Sequence, residues 1–144
     1  MMSADESLHS RRPLTLRFDI PISKTREFWE ALGKGRMTTT KCSSCGHVSF
    51  PPQKDCPSCF KGDPSWVDLG TDAKLVTFTH VQMPPATFAE YDPYTIAIAE
   101  FPMGVRVLAW LEGVDHADVK PGLRLKVEVR KTEGGAPYYV FVRA

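Results

Sequence analysis

Every cysteine of the chain lies in one short stretch, KCSSCGHVSFPPQKDCPSCF (residues 41–60). Cys42 and Cys45 form one C-x-x-C pair and Cys56 and Cys59 a second, with ten residues between the pairs. Four thiols at this spacing suit three kinds of chemistry. They can staple a fold through disulfides, exchange disulfides with a substrate, or bind a metal. Disulfides need an oxidising compartment. A thioredoxin-like site needs one C-x-x-C at a strand–helix junction in a βαβ setting, and here there are two pairs among Gly and Pro. Metal binding fits best, because each C-x-x-C turn aims two thiolates at one ion and two turns complete a tetrahedral set. One zinc per chain is expected on Cys42, Cys45, Cys56 and Cys59, although the spacing also suits a rubredoxin-like iron. A site closed by four thiolates keeps no open position for water or substrate, so the expected role is structural.

The residues around the pairs support two knuckle turns. Gly46 follows the first pair, where a positive φ is wanted, and Pro57 fixes φ inside the second. Phe60 takes the place that Gly46 holds in the first knuckle. The expectation is a distorted second turn or a phenyl packed outward. His47 reads as an exposed strand residue rather than a fifth ligand.

The elements that must hold these turns can be read on either side. The chain has 144 residues, enough for one domain or two small ones, with an ordinary 42% hydrophobic and 24% charged content. A net charge of +1 offers no strong field for nucleic acid or an anionic membrane. No apolar run approaches a membrane span, and MMSADESLHSRR lacks the apolar core of a secretory signal. A cytoplasmic, reducing location without membrane contact is the resulting expectation.

Residues 1–12 read as disordered, and the loose alternation of residues 13–21 reads as extended, so 1–21 form a flexible N-terminal segment. Ser23 is the expected N-cap of a helix over KTREFWEAL, ended by Gly33 and Gly35. Phe28, Trp29 and Leu32 share one face of it. Short strands at 38–41 and 47–51 flank the metal site, and DPSWVDLG is read as a turn-rich exit, completing a helix-plus-ribbon unit over 22–69. Five strand patterns follow at 73–83, 94–101, 105–111, 123–130 and 137–143. The fourth, LRLKVEVR, alternates cleanly between apolar and charged residues. Five strands with one inside face over 70–144 suggest a closed oligonucleotide/oligosaccharide-binding (OB) barrel, whose one long loop joins its first two strands.

A Phe-Trp helix, a C-x-x-C…C-x-x-C ribbon and a five-stranded barrel, in that order, resemble the zinc-ribbon/OB-fold family once catalogued as domain of unknown function 35. The resemblance rests on FWEALGKGRMTTTKCSSCGHVSFPP, CPSC, WVDLGTDAKLVTFTHV, FPMGVRVLAWL and VKPGLRLKVEV, and runs over nearly the whole chain from residue 23. It implies a mainly β fold: an N-terminal helix, a rubredoxin-like zinc ribbon and an OB-fold barrel. It also implies a non-catalytic accessory role in acyl-CoA metabolism, beside a thiolase-like or hydratase enzyme, with acyl-CoA as a ligand.

Within the sequence itself there is no Ser/His/Asp set, HExxH or phosphate-binding Gly loop, and His80 and His116 read as isolated. For an acyl-CoA or a partner enzyme the candidate contacts are Phe28 and Trp29 on the helix, Lys34 and Arg36 at its exit, and Arg106 and Trp110 on the third barrel strand. The ribbon looks too small to cover the aromatic helix face, so that face and the Phe50–Pro51–Pro52 edge are expected to form a partner surface. A nucleic-acid-binding module is the alternative, on the strength of Arg124, Lys126 and Arg130, but Glu128 interrupts them.

Overall fold

The computed structural model describes residues 18–144. The segment read as disordered, and most of the one read as extended, lie outside them. Residues 18–22 carry no regular element and leave Phe18 and Ile20 exposed.

Helix α1 (Arg26–Gly33) begins two residues later than Ser23 implied. Ser23 falls in the preceding turn, and the N-cap is Thr25, whose side chain makes no capping bond. The first turn is instead closed through the backbone, where Phe28 N–H donates to the Thr25 carbonyl at 3.1 Å. At the other end Gly35 takes φ +79°, and the N–H groups of Gly35 and Arg36 return to the carbonyls of Leu32 and Ala31. Glycine reaches that conformation without steric cost, which is why the helix stops there.

A three-stranded antiparallel sheet follows, in the order β2 (Val48–Ser49), β1 (Thr38–Cys42), β3 (Pro64–Asp68). β3 corrects the sequence reading, which took DPSWVDLG for an exit turn. Its five residues pair with β1 from Thr38↔Asp68 to Cys42↔Pro64. Asp63 and Gly70, both at positive φ, are turns that bound the strand rather than part of it.

The rest is a closed barrel in the order β4 (Asp72–Val81), β5 (Tyr94–Glu100), β6 (Arg106–Leu111), β8 (Pro137–Arg143), β7 (Arg124–Lys131). β4 bends at an irregularity between Leu75 and Thr77 and so pairs with both β5 and β7. Parallel pairing of β6 with β8 at Leu111↔Phe141 closes the circle. Small residues face inward on the central strands, where Ala97 lies opposite Ala109, and this leaves room for the fully buried Phe141 and Phe101.

One core runs through ribbon and barrel. Phe28, Leu32 and Met37 belong to the same buried cluster as Leu75, Phe101, Leu125 and Phe141. The Phe28 and Leu32 part of the helix face is therefore covered, contrary to the expectation from ribbon size, while Trp29 stays exposed. Phe28 is only 5% exposed, and Phe50 packs edge-on against both Phe28 (centroids 6.0 Å apart) and Tyr139 of β8 (6.1 Å). The missing cover comes from the last barrel strand, far away in sequence.

Candidate metal centre and the surfaces around it

The two knuckles are built alike. In the first, Cys42 N–H donates to the His47 carbonyl (2.8 Å) and Gly46 N–H to the Cys42 carbonyl (3.0 Å). In the second, Cys56 N–H donates to the Lys61 carbonyl and Phe60 N–H to the Cys56 carbonyl, both at 2.9 Å. Gly46 has φ +75° and Phe60 φ +60°. The second turn is thus undistorted. Phe60 adopts the glycine conformation and holds its phenyl outward, 85% exposed.

The four Sγ atoms lie within 4.8 Å of one another. Cys42 Sγ is 3.5 Å from Cys59 Sγ, and Cys45 Sγ is 3.6 Å from Cys56 Sγ. A tetrahedron with Zn–S bonds of about 2.3 Å has edges of about 3.8 Å, so the set fits zinc with small adjustments. As free thiols they would divide their protons unequally. Backbone N–H groups of Cys45 and Ser44 lower the Cys42 thiol to about 6. The His47 backbone also lowers Cys45, but desolvation and the sulfurs of Cys59, Cys42 and Cys56 outweigh it and push that thiol up to about 12. A dication at the centre removes that competition by stabilising all four thiolates. The chain holds one structural zinc.

The sheet fixes the centre to the rest of the protein. Thr39 on β1 is fully buried and donates from its hydroxyl to the Ser49 carbonyl on β2. The Gln53 N–H, in the link between the knuckles, donates to Thr40 Oγ1 at 2.9 Å.

The other candidate residues fall in three separate places. Trp29 is 41% exposed and meets Phe28 edge-on at 5.1 Å. Close by, Lys34 and Arg36 line a cleft of about 320 Å³ with Glu27, Glu30 and Asp68, and Arg36 approaches Asp68 at 4.0 Å. Arg106 borders a second cleft of about 300 Å³, against His47 and Phe50 of the ribbon, and its Nε donates to Glu100 across the strand pair at 2.8 Å. Trp110 lies elsewhere on the barrel, stacked on Tyr94 with centroids 4.4 Å apart and planes 10° from parallel. Phe88 and Tyr91, from the long β4–β5 loop, complete that cluster.

His80 and His116 are not isolated. β4 and a 3₁₀ turn at His116–Asp118 bring their rings to 4.3 Å between centroids, beside the aromatic cluster. No local pattern announces this pair; only the barrel topology juxtaposes them.

Among the described residues, no helix is long and apolar enough to cross a membrane. Residues 29–65 match the family model described as the ChsH2 rubredoxin-like zinc ribbon domain, and residues 66–130 the model for the ChsH2 C-terminal OB-fold domain. A DUF35 domain-containing scaffold protein of Pyrococcus furiosus is 31% identical over 111 residues, covering 77% of this chain and 81% of that protein. The benzoylsuccinyl-CoA thiolase subunit BbsA of Thauera aromatica is 32% identical over 87 residues, or 58% of this chain and 59% of the relative. Among solved structures, the Ltp2-ChsH2(DUF35) aldolase superposes with a TM-score of 0.72 at 21% identity, over 92% of this chain and 98% of the other, a likeness of fold. The chain belongs to the DUF35 family, in which a rubredoxin-like zinc ribbon is joined to an OB-fold barrel.

Proposed function

We infer that this protein is a non-catalytic accessory subunit of acyl-CoA metabolism, acting in the cytoplasm. It holds a thiolase-like or hydratase enzyme and contributes to the binding of that enzyme's acyl-CoA. The observation that carries the reading is the division of labour in the ribbon. Its four thiolates are committed to a closed structural centre, while the same unit displays large apolar side chains, Trp29 and Phe60, to solvent. Exposed aromatics on a rigid support are the usual anchors of a protein interface. The relatives named as a scaffold protein and as a thiolase subunit support the same reading. The clefts at Lys34/Arg36 and at Arg106 are candidate contacts for acyl-CoA phosphates, while Trp29, exposed on the helix, and Trp110, on a separate part of the barrel, are candidate apolar contacts outside both clefts. Phe28, buried beneath Trp29 and Phe50, acts by holding them in place. Nucleic-acid binding has less support, because Arg130 on β7 is held by Glu112 and Glu128.

The test is affinity purification of the tagged protein from its native host, followed by reconstitution with the enzyme that co-purifies. The expected result is a stoichiometric complex with a thiolase-like or hydratase enzyme, and no thioester turnover by the accessory chain alone. Recovery without such an enzyme, or turnover by the chain alone that one substitution abolishes, would refute the reading.

A further inference from the structure

A third cavity, of about 410 Å³, opens on the barrel where β4 and β6 end and β5 begins, near the 3₁₀ turn at His116. Its volume is in the range of small-molecule sites. One side is aromatic. Tyr94 and Trp110 form the parallel stack, and Tyr91 stands edge-on to Trp110 at 5.5 Å and 88°. The opposing chemistry is polar, with the paired imidazoles of His80 and His116 and the carboxylates of Asp92 and Glu112. His80 Nδ1 lies 3.0 Å from the hydroxyl of the buried Thr95, which occupies one ring nitrogen and leaves the other. Glu112 is held by Arg130, and among the described residues neither lysine nor arginine lines the cavity.

We propose that this cavity binds a single flat heteroaromatic ring bearing an exocyclic amine, of the adenine class. Each part of the lining selects for that chemistry. Tyr94 and Trp110 already cover one face of each other, so an incoming ring would stack on an outer face of the pair, where a stacked base is worth about 1–3 kcal/mol. The Asp92 carboxylate can accept a hydrogen bond from an amine and disfavours an aromatic acid, while Glu112, whose charge is met by Arg130, adds an acceptor oxygen. The imidazoles supply N–H donors and acceptors for ring nitrogens, as both roles exist in neutral histidine. Without lining cations the site reads the ring rather than its phosphates. It also lies on the second and third strands and the first long loop of the barrel, where OB folds receive their ligands. The inference does not depend on the partner-enzyme reading.

Calorimetric titration of the intact, zinc-loaded protein with adenosine, inosine, AMP and a short single-stranded adenine oligonucleotide tests it. The indole N–H resonance of Trp110 serves as a local reporter. Adenosine is expected to bind saturably and to shift that resonance. Inosine, which lacks the amine, should bind several-fold more weakly. H116A, on an exposed turn, and D92N should each weaken adenosine by up to about tenfold, the size of a lost hydrogen bond. Equal affinity for AMP and the oligonucleotide assigns the ring to a free nucleotide; much tighter, salt-sensitive oligonucleotide binding assigns it to single-stranded nucleic acid, and both uphold the site. Absence of saturable adenosine binding at millimolar concentration overturns it. So does equal binding of adenosine and inosine with both variants unchanged.

Discussion

Phe60 repeats at Cys56 the hydrogen bond that Gly46 makes at Cys42, and does so at φ +60° with a side chain that glycine lacks. The left-handed region costs an ordinary residue about 1–2 kcal/mol. Glycine would remove that cost but add up to about 1 kcal/mol of unfolded-chain entropy. Phe60→Gly is therefore expected to stabilise the protein by up to about 1 kcal/mol, raising the melting temperature by a few degrees. If the phenyl is an anchor, the same variant holds its partner less tightly. A melting temperature that falls would show that the phenyl is supported in the folded chain after all.

The zinc prediction concerns reach as well as stoichiometry. Elemental analysis of protein purified under reducing conditions should give one zinc per chain. Structural zinc contributes on the order of 10–16 kcal/mol in small peptides. Because Phe28, Leu32 and Met37 share a core with Leu75 and Phe141, a strong chelator should lower the melting of the barrel too. A barrel transition indifferent to chelation, seen by far-ultraviolet circular dichroism, would contradict this.

Two adjacent helix residues should behave in opposite ways. Phe28→Ala opens a cavity in the shared core and is expected to cost about 3–5 kcal/mol. Trp29→Ala, at a half-exposed position, should cost about 1 kcal/mol or less in thermal stability. It should nevertheless weaken association with the partner enzyme by about 2 kcal/mol. If Trp29→Ala unfolds the isolated chain and leaves association unchanged, the residue is core and not interface.

Tyr139 supplies a pH dependence with a definite sign. Burial raises its phenol above the ordinary value of 10.0. The unfolded chain then releases that proton first as the solution turns alkaline. The contribution to stability is complete below pH 10 and is lost as pH rises through the folded-state pKa. Urea midpoints measured between pH 8 and 11 should fall at the alkaline end, and Tyr139→Phe should flatten the decline. An equal decline in both proteins would place its origin elsewhere.

The parts legible in the sequence were those with local grammar. Cysteine spacing fixed the metal set, and β-rich runs set off by Pro/Gly turns, one of them cleanly alternating, located all five barrel strands to within about two residues of their ends. β3 escaped because it opens on Pro64 and lies between Asp63 and Gly70, residues whose turn chemistry masks a strand defined only by pairing with β1. The cover over Phe28 and the meeting of His80 with His116 were illegible for a related reason. Each depends on residues joined only by the closure of the barrel, and no window of sequence contains both partners.

That closure has a consequence for life at high concentration. A sheet edge is a template on which further chains can polymerise, and closing the barrel leaves little of one, although β6 and β8 meet only at Leu111↔Phe141. Among the described residues the edges left are chiefly in the ribbon, and they are poor templates. β2 has two residues, and β3 begins at Pro64, which lacks an N–H, and ends at the charged Asp68. Exposed aromatics such as Trp29 and Phe60 thus sit on a body with little capacity for strand-by-strand growth, so a sticky surface need not lead to fibrils.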